Sequence, residues 1–201
     1  MMYNIVKYSS YFLAVIFMRV RVTGRENVPK DGPVLICSNH ISNFDPPLLA
    51  THIRRKVHFM AKSELFNKKI LGFIMYFVGA FPVRRGVVDR KSLKQGIQFL
   101  NEGQVLCLFP EGTRSKSGEI GKGLTGAGFF ALRSDAAVVP VAISGRYGLF
   151  RRVNVVIGRP VPMQDLRTNK AKAEEATEVI MEEIKAVHQQ AKAGNSRLPS
   201  G

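Results

Sequence analysis

The sequence predicts an α/β domain: one central, mostly buried sheet flanked by helices, preceded by an apolar N-terminal helix of interfacial type. Three observations carry this expectation. Compact apolar runs of strand length recur, among them Pro33-Val-Leu-Ile-Cys37, Val105–Phe109 and Ala137–Ile143. Segments of helical periodicity separate or follow them, the clearest being Arg90–Asn101 and Ala171–Ala191. Apolar residues make up 45% of the 201 positions, enough for one domain with a sizeable core.

Taken in order, residues 1–20 read as a helix, because Tyr8–Met18 is charge-free and lies between Lys7 and Arg19. Val20–Thr23 reads as a short strand, and Gly24–Gly32 as a polar connection closed by Pro29-Lys-Asp-Gly32. Pro33–Cys37 is a buried strand. Pro46–Ile53 starts as a helix does, with prolines in its first turn. Val57–Ala61 is a strand, Lys68–Phe77 an apolar helix, Gly79–Val83 a strand and Arg90–Asn101 an amphipathic helix. Val105–Phe109 is a strand ending in a Pro-Glu-Gly turn, and Leu124–Arg133 is helical. Ala137–Ile143 and Arg152–Ile157 complete the strands, with Pro140 marking an edge or a bulge. Ala171–Ala191 is a long amphipathic helix. The chain thus divides into a membrane-associating helix, 1–20, a folded domain, 21–192, and a polar tail, 193–201.

Charge narrows the partners. Thirty Lys+Arg against 15 Asp+Glu give a net charge of +15 and a pI near 10.2. That balance suits nucleic acid, an anionic membrane or a phosphorylated substrate. A nucleic-acid surface predicts basic residues interleaved with aromatics on one face. Here the basic residues are scattered and Trp is absent, so no nucleic acid is expected. Cys37 and Cys107 both sit in apolar runs, with neither disulfide nor metal spacing, as befits a reducing compartment. A bilayer span needs roughly 20 apolar residues, and neither Tyr8–Met18 nor Ile70–Val83 reaches that length. Tyr8–Met18 runs into Arg19-Val-Arg21 with no small-residue cleavage site, unlike a signal peptide. Two readings remain for it: a helix in the membrane surface with basic flanks toward headgroups, or a core helix packed on the domain.

The first chemical motif is Asn39-His40-Ile-Ser-Asn-Phe-Asp45-Pro-Pro. Positions five apart lie about 140° apart around a regular helix, so His40 and Asp45 cannot meet on one. A strand ending at Cys37, a turn through Ser42-Asn43 and a helix from Pro46 double the chain back and allow contact. Asp45 then fixes the imidazole tautomer, and the other ring nitrogen takes a proton from a substrate hydroxyl. The competing reading makes Asp45 the N-cap of the following helix and His40 a hydrogen-bonded residue at a strand end.

The second motif is Phe109-Pro-Glu-Gly-Thr-Arg-Ser115, directly after a buried strand. Gly112 permits close backbone approach. Thr113 offers a hydroxyl, and Arg114 a planar fork for phosphate. Lys116 and Lys122 add positive charge, and Glu111 is the one acid. A nucleotide P-loop is excluded, because Lys122 is followed by Gly123 and the required spacing fails. Between the motifs, Gly79-Ala-Phe-Pro-Val-Arg-Arg85 delivers two arginines at a strand end, where neighbouring side chains point to opposite faces.

These segments, with Val139-Pro-Val141, resemble in order and spacing the blocks of the glycerophospholipid acyltransferase family, in particular members acting on 1-acylglycerol-3-phosphate. The resemblance spans residues 34–145. It implies an α/β fold like that of glycerol-3-phosphate acyltransferase. It implies acyl transfer from acyl-coenzyme A or acyl carrier protein to the sn-2 hydroxyl of lysophosphatidic acid, in phospholipid biosynthesis. His40 becomes the general base and Asp45 its orienting partner. Arg85, Glu111, Gly112, Thr113, Arg114 and Lys122 become the acceptor-binding set, with Glu111 holding the basic groups in place. No metal and no bound cofactor are required. The expected setting is the cytoplasmic face of the membrane, attached peripherally or monotopically to an anionic surface. The motifs leave open another acceptor, glycerol-3-phosphate or a different lysolipid.

Overall fold

The computed structural model describes residues 19–196, apart from positions 68, 85 and 116. Most of the expected N-terminal helix therefore lies outside the described residues. The rest forms a three-layer α/β/α arrangement around one sheet. Strands β1 (Arg19–Thr23), β2 (Val34–Ser38), β3 (Val57–Lys62), β4 (Ala80–Val83), β5 (Val105–Leu108), β6 (Ala137–Gly145) and β7 (Arg152–Ile157) build it. Helices α1 (Asp45–His52), α2 (Lys69–Phe77), α3 (Arg90–Asn101) and α4 (Gly126–Leu132) connect them, and α5 (Gln164–Thr168) and α6 (Ala173–Ser196) follow.

The sheet order is β1-β7-β6-β2-β5-β3-β4. Five strands, from β6 to β4, run parallel. β7 is antiparallel to β6, and β1 is parallel to β7. The central strand β2 is buried at every position, which explains why it reads as an unbroken apolar run: both its faces are covered. Val34 and Ile36 pack with Leu48 and Leu49 of α1 on one face. Leu35 and Cys37 pack with Leu100 of α3, Phe130 of α4 and Ile180 of α6 on the other.

Two crossovers decide where a ligand can sit. The connection from β2 to β3 passes β5 on the face of α1, and that from β5 to β6 passes β2 on the face of α4. They run in opposite directions on opposite faces. The loops leaving β2 and β5 therefore part and open a crevice at the carboxyl ends of adjacent strands, the usual ligand position in such sheets.

Several boundaries differ from the sequence reading. Arg19 also belongs to β1, one residue before the expected strand start at Val20, because it pairs with Arg152 of β7. The last helix runs to Ser196, four residues into the expected polar tail. The helix expected over 124–133 shortens to Gly126–Leu132, since Leu124 N–H bonds to the Pro110 carbonyl. The short helix α5 carries too little periodicity to be read from sequence. Pro140 falls where the β6–β7 ladder, paired from Val141 to Gly145, gives way to an isolated bridge between Val138 and Val161. The strand is no edge, since Pro140 is also paired with Cys37 of β2.

α4 and α6 pack closely because of glycine. A Cβ on Gly128 would run into the Ala173 carbonyl, and the Gly128 N–H donates to Thr177 Oγ1 at 3.0 Å. Gly128→Ala is expected to lower stability by about 1–3 kcal/mol through overpacking, read as a reduced urea midpoint at unchanged m-value.

Candidate active site

His40 and Asp45 meet. His40 Nδ1 lies 2.7 Å from Asp45 Oδ2, and the carboxylate is fully buried. The same oxygen accepts the backbone N–H groups of Ile41 at 2.7 Å and Ser42 at 2.8 Å. The turn is closed by Asp45 N–H to the Ser42 carbonyl at 3.1 Å. Asp45 is the first residue of α1 and Phe44 its N-cap, with no side-chain capping bond. The carboxylate thus reaches back to the strand end rather than forward into the helix, and the helix-cap reading fails. A carboxylate only accepts, so Nδ1 carries the proton. Nε2 holds the lone pair and makes no hydrogen bond to any described residue. The ring stacks on Phe109, with centroids 4.1 Å apart.

Tyr147, absent from the sequence-predicted set, completes the carboxylate's shell. Its hydroxyl donates to Asp45 Oδ1 at 2.5 Å. Burial, and the adjacent Asp45 charge, push the phenol well above its ordinary range, so it stays a donor. It comes from the loop between β6 and β7, 102 positions from Asp45, and no local spacing rule reaches that far. Asn39 anchors the other side: its amide donates to the Ile143 carbonyl at 2.9 Å and accepts the Ile143 N–H at 2.7 Å. This side chain extends the β2–β6 pairing beyond Ser38 and holds the His40 backbone to the sheet.

The second motif lies beside the first because β5 pairs with β2. Ser115 N–H donates to the His40 carbonyl at 2.8 Å. Among the described residues Glu111 makes no ion pair with a basic side chain. Its two oxygens accept the N–H of His40 at 3.1 Å and of Gly121 at 2.9 Å. It joins three chain segments through backbone. Gly112 takes a left-handed φ of +68°, in a turn closed by its N–H to the Phe109 carbonyl. Leu124 sits where a Cβ would go.

Thr113, Arg114 and Lys122 are exposed. Among the described residues, neither cation makes an ion pair. Lys122 reaches the cluster through its neighbours, since Gly121 is bonded to Glu111 and Leu124 to Pro110. Arg85 lies outside the described residues. Its neighbour Arg84 is held by Asp89, whose carboxylate accepts the Arg84 and Ser92 N–H groups at 3.0 and 3.3 Å. The buried cysteines lie on opposite faces of the sheet, and burial pushes both thiols up, which leaves them poor nucleophiles.

Two expectations follow. Tyr147→Phe leaves one oxygen of a buried carboxylate without its donor. It is expected to cost about 1.5–3 kcal/mol in urea unfolding, as for hydrogen bonds to charged groups. The Arg84 N–H, then the Ser92 hydrogen bond, lower the Asp89 carboxyl from 3.8 to about 2. A depressed carboxyl stabilises the fold fully above its unfolded value and loses that contribution as pH falls through the folded one. The stability gap between wild type and Asp89→Asn should therefore be full above pH ~4 and shrink toward pH 2 in thermal unfolding.

Comparison with known proteins finds relatives both in sequence and in fold. The chain is 32% identical to a 1-acyl-sn-glycerol-3-phosphate acyltransferase of Bacillus subtilis, covering 83% of this chain and 86% of that protein. It is 31% identical to a chloroplastic 1-acyl-sn-glycerol-3-phosphate acyltransferase of Arabidopsis thaliana, over 78% of this chain. The alignment spans only about half of that plant protein, 48% of its length. The fold matches the crystal structure of the 1-acyl-sn-glycerophosphate (LPA) acyltransferase PlsC from Thermotoga maritima, with a TM-score of 0.77 at 23% identity. That match covers 98% of this chain and 81% of the other. The model of the acyltransferase family matches residues 19–144, and the chain belongs to that family.

Proposed function

We propose that this protein transfers a fatty acyl group from acyl-coenzyme A or acyl carrier protein to the sn-2 hydroxyl of 1-acyl-glycerol-3-phosphate, making phosphatidic acid for phospholipid biosynthesis. The observation that carries the reading is a His40 fixed through Nδ1 by buried Asp45, beside a loop that presents the exposed Arg114. Relatives named as 1-acyl-sn-glycerol-3-phosphate acyltransferases support the choice of acceptor.

The reaction divides as follows. The acceptor phosphate binds Arg114, with Lys122 and Arg85 adding charge and Thr113 a hydroxyl. Nε2 takes the proton of the sn-2 hydroxyl as its oxygen attacks the thioester carbonyl. Asp45 stabilises the resulting imidazolium. The tetrahedral intermediate collapses, the C–S bond breaks, and the imidazolium returns the proton to the thiolate. The acceptor hydroxyl is itself the nucleophile, so the protein supplies no nucleophilic side chain. Glu111 and Gly112 act by shaping the loop rather than by touching phosphate. No metal or bound cofactor enters this scheme. Among the described residues no helix is long and apolar enough to cross a membrane. We place the protein on an anionic cytoplasmic surface, which the net charge of +15 favours.

The test is acyl transfer to lysophosphatidic acid in mixed micelles. His40→Ala should lose about 10²–10⁴-fold in kcat while remaining folded. Arg114→Ala should weaken apparent acceptor binding by roughly 10–100-fold, the scale of a charge-assisted contact. Retained turnover in His40→Ala would locate the base elsewhere. Turnover of glycerol-3-phosphate in place of the lysolipid would change the acceptor while keeping the chemistry.

A further inference from the structure

The loop joining β6 to β7 carries more than Tyr147. It exposes Leu149 and Phe150, at 60% and 68% of their surface. Phe44, 59% exposed, lies alongside, its ring 5.8 Å from that of Tyr147. Phe150 holds a left-handed φ of +58°, unusual for a bulky residue. The loop is closed by Arg151 N–H to the Gly148 carbonyl and Arg146 N–H to the Arg152 carbonyl, both at 3.1 Å. An apolar tip is thereby presented by an ordered turn.

The surroundings are basic. Arg146, Arg151 and Arg152 are exposed beside the tip. No acidic residue occurs between Asp135 and Asp165. The loop also marks where the N-terminal segment joins the fold. Arg19 N–H donates to the Arg151 carbonyl at 3.0 Å, and Arg19 pairs with Arg152. Because β7 and β1 run opposite to the parallel strands, their starts lie at the carboxyl edge of β6, β2 and β5. Residue 18, the last of the apolar run Tyr8–Met18, thus precedes a strand that begins at the edge holding His40.

We propose that the β6–β7 loop is a membrane-docking element, with Leu149 and Phe150 entering the acyl region and Arg146, Arg151 and Arg152 engaging anionic headgroups. An apolar tip flanked in its own loop by three exposed arginines complements an anionic bilayer. Docking seats the crevice at the lipid surface, where an amphiphilic acceptor resides. Tyr147 links this seating to Asp45, so the segment that contacts lipid is the one that completes the dyad. The inference rests on the lipid acceptor proposed above.

The chain contains no Trp, so Phe150→Trp introduces a single reporter. On adding vesicles of phosphatidylcholine with phosphatidylglycerol, the indole emission should shift to the blue and be quenched by chain-brominated lipid. Combined Leu149→Ser and Phe150→Ser should weaken sedimentation with those vesicles about ten-fold or more, at unchanged thermal unfolding. The pair should also slow turnover of vesicle-borne acceptor more than that of a short-chain soluble one. Three outcomes overturn the proposal. The protein sediments while the indole stays in water, the indole is already blue-shifted without vesicles because protein covers it, or the paired substitution leaves binding unchanged. The fluorescence needs no turnover, so a failure of the acyl-transfer reading appears separately, as wild-type inactivity on both acceptors.

Discussion

The buried carboxylate of Asp45 is the constraint on which the rest of the site depends. A charge taken out of water is tolerated only when its oxygens are fully engaged. Here one oxygen takes the His40 ring and two backbone N–H groups, and the other takes the Tyr147 hydroxyl. Those donors come from two loops far apart in sequence. Satisfying the charge therefore shapes the turn after β2, fixes the imidazole tautomer and draws the β6–β7 loop over the carboxylate.

The sheet makes this possible by placing the right loop beginnings side by side. β2 stands between β5 and β6, so the segment carrying His40 is flanked by the segments carrying Glu111 and Tyr147. Each flank is fastened by a different device. Asn39 extends the ladder toward β6 with two hydrogen bonds to Ile143. Glu111 ties the His40 backbone to the loop after β5. Both polar side chains act on backbone groups, and among the described residues neither His40 Nε2 nor the Arg114 and Lys122 cations are engaged by a carboxylate.

That division separates architecture from binding. The apolar core, the clamp residues and the buried cysteines account for the interior. The excess positive charge remains outside, and Arg114 and Lys122 are exposed on the segment that follows β5. The proposed reaction draws on both features, the exposed cations to attract an anionic acceptor and the buried dyad to orient the base.

The sequence by itself determined the α/β class, the order of the strands and of the longer helices between them, and the two chemical segments, because these rest on local periodicity and turn chemistry. Pro33–Cys37 is apolar at every position since β2 is covered on both faces, and Asn39–Asp45 keeps its reactive groups within six residues. Only the tertiary structure decided the rest. It decided that Asp45 serves His40 rather than capping α1, since the choice turns on where the chain doubles back. It gave the Glu111 carboxylate to the backbone N–H groups of His40 and Gly121, and it brought Tyr147 to a carboxylate 102 positions away. Strand pairing between distant segments sets those contacts, and no pattern within a local window records which strands become neighbours.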